Sequence, residues 1–203
     1  MIVRKFTLTA LICACTLALS AASPAHAEGR IKVRGSTSNA AGGTTTVNGS
    51  AARGPQGGAA ARGRVTSTDG QGNATSTSGG AFRGPNGGYG ARAGSTQVNQ
   101  DGSVQHQSSA AANTVYGSGS SSGGFTRGAD GSVQGGRSTS AVGASGGRYN
   151  SNTSYATGQG ASHNTSATGA AGNSYQGQTT VTQDQGVQHS HQCYDAAGQP
   201  IDC

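Results

Sequence analysis

Apolar residues are continuous once in this chain and scattered thereafter. After MIVRK comes FTLTALICACTLAL, unbroken by charge, and then SAASPAHA, which ends in Ala25-His26-Ala27. A positive start, a short apolar segment and a small-x-small end are the parts of a secretory signal peptide. The run is too short and too rich in Ala and Thr for a membrane span. Residues 1–27 are therefore expected to be cleaved near Ala27, leaving a mature chain that is secreted, periplasmic or at the cell surface. Past that point RVTSTDG, GSTQVNQ, NTVYGS and TTVTQDQGVQHSHQC carry Val, Thr, Tyr and Gln in partial alternation, the period of strands. No stretch shows helical periodicity, and the density of Gly opposes helix throughout.

Turn signals divide these segments at regular intervals. RGPQGG begins at Arg53 and RGPNGG at Arg83, thirty residues apart, and Arg62 matches Arg92 at the same offset. DGSVQ occurs at Asp101 and again at Asp130, and an Asp69-Gly70 pair lies one step upstream. The two turn types alternate and leave about ten residues between them, a length that suits a meander of strands or the rungs of a solenoid. In Gly54-Pro55-Gln56-Gly57 and Gly84-Pro85-Asn86-Gly87, proline presets φ for the second turn position, and Asn and Gly tolerate the left-handed region that follows. Asp101-Gly102 and Asp130-Gly131 mark the other type. A three-residue loop over Gln100-Asp101-Gly102, with Gly102 left-handed, would set Val98 opposite Val104.

The expected fold is mainly β: an irregular repeat meander or solenoid of short polar strands, with substantial disordered or low-complexity segments. Residues 28–46 read as a leader, 47–192 as the β-repeat region and 193–203 as a tail. GSGSSSGG, from Gly117 to Gly124, reads as a flexible break.

Composition removes the usual means of compaction. Beyond residue 27 the chain has ten Val, two Ile and two Phe, no Leu, Met or Trp, and all 37 Gly of the protein. That is too little apolar surface to offset the conformational entropy of a packed domain. Eleven bases face seven acids, a net +4, and every base lies at or before Arg148. Spaced Arg53, Arg62, Arg83, Arg92, Arg127, Arg137 and Arg148 are candidates for contact with an anionic polymer, beside the plainer reading of a solvated face.

The tail concentrates the remaining chemistry. Cys193 and Cys203 are the two cysteines beyond the signal segment, and in an exported chain they are expected to pair across a turn-forming stretch. His189 and His191 share one strand face with Cys193 and Asp195, a spacing that can hold Zn or Cu, although a disulfide would remove the thiolate. Six Tyr with Phe82 and Phe125 can stack on sugars or bases, or simply pack on strands. The chain has no GxSxG elbow, no P-loop and no HExxH. No enzyme, cofactor or small-molecule substrate is expected.

Alternating RGPNGG and DGSVQ units that end in CYDAAGQPIDC resemble Gly/Ser-rich secreted repeat proteins of Gram-negative bacteria. The likeness spans residues 50–203 and implies export and repetition. A looser one, to functional amyloids of the curli type, lies in the shared Gly/Ser/Asn/Gln polarity. The expected function is a structural or adhesive role at the cell surface or in extracellular matrix, with the chain itself or a surface polysaccharide as partner. The alternatives are a module for anionic polysaccharide or extracellular nucleic acid, and an unstructured periplasmic linker. No transmembrane segment is expected in the mature chain.

Overall fold

The computed structural model describes residues 29–203, so the signal segment at 1–27 lies outside the described residues. Thirteen strands follow one another: β1 (Gly29–Ser38), β2 (Thr44–Arg53), β3 (Ala59–Thr68), β4 (Ala74–Arg83), β5 (Tyr89–Val98), β6 (Val104–Thr114), β7 (Gly117–Arg127), β8 (Val133–Gly143), β9 (Arg148–Ala156), β10 (Gly160–Thr168), β11 (Ser174–Thr182), β12 (Gly186–Tyr194) and β13 (Pro200–Ile201). They form one open antiparallel sheet in which each strand pairs only with its sequence neighbours. The architecture is thus a meander and not a solenoid. No described helix is long and apolar enough to cross a membrane.

Turn chemistry sets the register. Nine connections share one geometry: the first loop residue's N–H donates to the carbonyl of the fifth, with a left-handed Gly in fourth place. In the proline turns, Gly54 and Gly84 open the loop, and Gly57 (φ 84°) and Gly87 (φ 82°) close it. Asn86 stays right-handed, because no described non-Gly residue has positive φ, so the left-handed step belongs to Gly87 alone. At the other turn type Gly102 has φ 80°, Asn99 N–H donates to the Ser103 carbonyl at 2.9 Å, and Val98 faces Val104 as the loop length requires. Because antiparallel strands reverse at each turn, the proline turns lie at one end of the sheet. The turns of Asp69, Asp101 and Asp130 lie at the other.

Two expectations give way here. GSGSSSGG is not a flexible break but the first eight residues of β7, paired along its length with β6 and β8. Its small side chains leave room for close strand approach, and the neighbouring strands impose the register that the segment itself does not specify. The described part of the leader, 29–46, likewise enters the sheet, supplying β1, the turn at 39–43 and the start of β2. The low-complexity stretches among the described residues are strands or the short turns between them.

There is no core. Among the described residues no hydrophobic side chain and no polar side chain is buried. Ile31 is 68% exposed and Val33 59%. The ladder of backbone hydrogen bonds and cross-strand pairs holds the layer, with hydroxyl–hydroxyl contacts such as Thr45–Ser67 (3.1 Å), Thr66–Ser76 (3.1 Å) and Ser121–Thr139 (3.0 Å) on its faces. Gly90 is the exception that is buried. A Cβ there would stand 2.5 Å from Cε1 of Phe82, its cross-strand partner, so the phenyl ring covers the glycine and occupies the space a side chain would take.

Candidate polyanion-binding face

Alternation along each strand, carried across the sheet by pairing, sorts the charged residues. One cross-strand row runs Lys32, Ser50, Arg62, Gly80, Arg92, Ala110. A second, two residues along the strands and so on the same face, runs Arg34, Asn48, Arg64, Ser78, Gly94, Ser108, Gly123, Arg137. Arg30 and Arg127 share that face. The two rows wall a cleft of about 1020 Å³ that also reaches Arg30 and His106, and its floor is backbone at Gly49, Gly63 and Gly79.

The guanidinium groups are positioned by neutral neighbours. Arg34 Nε donates to Asn48 Oδ1 at 3.0 Å and Arg62 Nε to Ser50 Oγ at 3.2 Å. Arg137 donates from Nη1 to Ser121 Oγ at 3.0 Å and from Nη2 to Ser108 Oγ at 2.6 Å. Each partner is an uncharged side chain on an adjacent or nearby strand. Among the described residues the carboxylates lie elsewhere: Asp69, Asp101, Asp130, Asp184 and Asp195 are in turns and Asp202 follows β13. No carboxylate of a described strand therefore offsets the positive charge of the face.

The turn aspartates have their own task. Asp69 Oδ1 accepts from the Gln71 and Asn73 N–H groups at 2.8 and 3.0 Å, and Oδ2 accepts from Asn73 Nδ2 at 2.5 Å. The Asn73 amide, then the Gln71 N–H, hold this carboxyl below the ordinary aspartate range. At Asp101 and Asp130 the Ser103 and Ser132 hydroxyls act first, at 2.6 and 2.7 Å, and the backbone N–H groups of the same serines second.

Of the arginines singled out by spacing, Arg62, Arg92 and Arg137 meet on this face. Arg127 shares it but stands at the Asp-turn end, whereas Arg53, Arg83 and Arg148 fall in one row on the opposite face at the proline-turn end. Sequence reasoning passed over Arg30, Lys32, Arg34 and Arg64. The signal was present: Lys32, Arg62 and Arg92 are spaced by thirty, as are Arg34 and Arg64.

The described histidines lie on the basic face too. His189 and His191 have ring centroids 5.3 Å apart; His189 Nδ1 is 2.9 Å from Thr179 Oγ1 and His191 stacks on Tyr175 at 6.3 Å. Their expected companions are engaged elsewhere. Cys193 and Cys203 stand at disulfide distance with Cα atoms 5.3 Å apart, and Asp195 Oδ1 accepts the Ala197 and Gln199 N–H groups at 2.9 and 2.8 Å. No group of three or more metal-ligating side chains occurs among the described residues. Phe82, Phe125, Tyr149, Tyr155 and Tyr175 share the face, whereas Tyr89 and Tyr194 lie on the other, and Tyr116 projects from a turn.

That other face is neutral away from its proline-turn margin. Its groove of about 1310 Å³ is walled by rows that include Ser140, Asn150 and Gln176 on one side and Ser138, Asn152 and Gln178 on the other. Comparison with protein-family models, with curated proteins and with solved structures finds no match.

Proposed function

We propose that the protein is exported and serves a non-catalytic structural or adhesive role at the cell surface or in extracellular matrix. The observation that carries this reading is the single open layer, both faces of which present unbroken cross-strand rows to solvent. Such a surface repeats one weak contact many times, and avidity then grows with the number of repeats and not with any one site. The sequence pattern of residues 1–27 supports export. A second reading, a module for anionic polysaccharide or extracellular nucleic acid, is supported by the gathering of bases on one face. A linker without stable structure is the reading least in keeping with thirteen paired strands.

Deleting residues 99–127 tests the adhesive role without touching the basic rows of β1–β5. The cut joins Val98 to Gly128, keeps one complete Asp turn and removes β6 and β7 as a register-preserving pair. Retention of the added mature chain on the producing cells and their matrix should fall more steeply than strand count. Equal retention of the full and shortened chains, or none of either, would refute the reading.

A further inference from the structure

We infer that the lane between the two basic rows binds an extended acidic polysaccharide that runs across the strands, with an acidic group on every second sugar. This assignment rests on the adhesive reading and names the chemistry that such a surface recognises.

Spacing carries it. Lys32, Arg62 and Arg92 occupy β1, β3 and β5 of one row, and Arg34 and Arg64 occupy β1 and β3 of the other. Adjacent strands lie about 4.8 Å apart, so the charges recur every ~9.6 Å. That is the length of two sugars in an extended glycan. Between the bases stand Ser50 and Gly80 in the first row and Asn48 in the second, where Ser78 and Gly94 follow Arg64. The pattern across the sheet is base, small, base, small. It offers a cation to each acidic sugar and a low seat to the neutral sugar between. Two residues along a strand separate the rows by ~7 Å, the width of a single polymer chain and too narrow for a duplex.

Hydrogen bonding prepares the cations. Ser50 and Asn48 engage Nε of Arg62 and Arg34, and neither guanidinium donates an Nη hydrogen bond to another described side chain. The paired Nη groups therefore remain available for a carboxylate or sulfate in the two-pronged geometry arginine favours.

The same lane is poorly suited to single-stranded nucleic acid, whose sequence-tolerant binding depends on aromatic platforms under successive bases. None of the residues forming the cleft is Phe, Tyr or Trp. Phe82, one row away, lies over Gly90, and Phe125, Tyr149, Tyr155 and Tyr175 belong to β7, β9 and β11. Duplex DNA presents phosphates every ~3.4 Å per strand, far closer than the ladder.

The test is titration of the mature chain with four probes of equal length: a hyaluronan oligosaccharide (acidic on alternate sugars), an oligogalacturonate (acidic on every sugar), a neutral dextran and an oligo-dT strand. Hyaluronan should bind most tightly and dextran not at all. Arg62→Gln with Arg92→Gln should raise its Kd about tenfold. Lys32→Gln with Arg34→Gln, on the exposed edge strand, should act in the same direction. Arg83→Gln with Arg148→Gln removes equal charge from the opposite face and should change Kd less than about twofold. Unchanged strand content by circular dichroism accompanies each comparison. Equal loss in the opposite-face pair would reduce the effect to net charge and overturn the proposal. Equal affinity for oligogalacturonate would overturn the spacing, tighter oligo-dT would make the face a nucleic-acid surface, and absent hyaluronan binding would end the idea. Cell retention that persists in any of these cases would leave the adhesive role standing by itself.

Discussion

In β1, β3 and β5 the two lane rows are held by Lys32, Arg34, Arg62, Arg64 and Arg92; in β10 and β12 the same rows are held by His163, His189 and His191. The device is similar in both regions. Arg34 and Arg62 donate to Asn48 and Ser50 on the adjacent strand, and His163 Nδ1 and His189 Nδ1 meet the Thr153 and Thr179 hydroxyls at 2.7 and 2.9 Å, again one strand away. What differs is the repeat. The early strands begin at Gly29, Ala59 and Tyr89, thirty apart, while β10 and β12 begin at Gly160 and Gly186, with three-residue turns and nine-residue strands. His163 and His189 follow the shorter period, as do Thr153 and Thr179. A ladder of like side chains thus needs only that the sequence repeat equal the local hairpin period, whatever that period is. The first region fills its ladder with Lys and Arg and the second with His.

The largest effect that would separate the regions concerns rings laid over glycine. Phe82 covers Gly90 in the early region, and Tyr155 covers Gly135 in the later one, where a Cβ would come 2.7 Å from the tyrosine hydroxyl. Gly90→Val should cost about 2 kcal/mol in urea unfolding, by displacing the ring and crowding the Ala111 carbonyl. Adding Phe82→Ala should return part of that loss, since the ring is then no longer in the way. At Gly135 the Gly124 carbonyl would lie 2.6 Å from a Cβ, so the ring is read there by Tyr155→Ala returning part of the cost of Gly135→Val; strict additivity of either pair would remove that ring from the account.

Next come the left-handed turn positions. Gly87→Ala in the early region and Gly146→Ala in the later one (φ 82° and 90°) should each cost about 1 kcal/mol, because each is the left-handed fourth residue of the same five-residue loop and a Cβ at either meets nothing within 4 Å. Unequal costs would mean that the two regions tolerate register errors differently.

Acid should act unevenly. The hydrogen bonds that lower the carboxyls of Asp69, Asp101 and Asp130 favour their ionised form, so the associated stability is complete above the ordinary aspartate pKa of about 3.9. It is lost as pH falls through the lower folded values. Amide exchange at 69–73, 99–103 and 128–132 should quicken in that window, whereas exchange at the Gly84–Gly88 turn, which has no carboxylate, should not. Asp101→Asn with Asp130→Asn should flatten the response at those two turns.

The smallest expected effect on the sheet as a whole is removal of the tail link. Cys193→Ser with Cys203→Ser should speed exchange at 193–201, where β13 contributes only two residues, and change unfolding of β1–β8 by less than about 0.5 kcal/mol. A larger shift would show that the far edge stabilises distant strands.

Much of this fold is legible in local chemistry. Pro55 and Pro85 mark one set of turns and Asp69, Asp101 and Asp130 the other, because proline geometry and carboxylate capping act over a few neighbouring residues. The pairing of Val98 with Val104 follows from loop length. The strand at 117–127 is hidden, since Gly and Ser carry no alternation and take their register from β6 and β8. Half of the candidate site is hidden as well. Arg62 and Arg92 belong to an obvious repeat, whereas Lys32 and Arg34 sit in a segment whose flanking residues do not resemble the later copies.

By itself, then, the order of residues settled that this chain has strands, where its proline and Asp-Gly turns fall and that it cannot build an oily interior. Those follow from backbone preferences and from a count of apolar atoms. Only the assembled sheet decided which residues share a face, that Phe82 roofs Gly90 and that Arg53, Arg83 and Arg148 part company with Arg62 and Arg92. Alternation assigns sides within a strand, but sides are matched between strands only when turn length and hydrogen-bond register place one strand against the next.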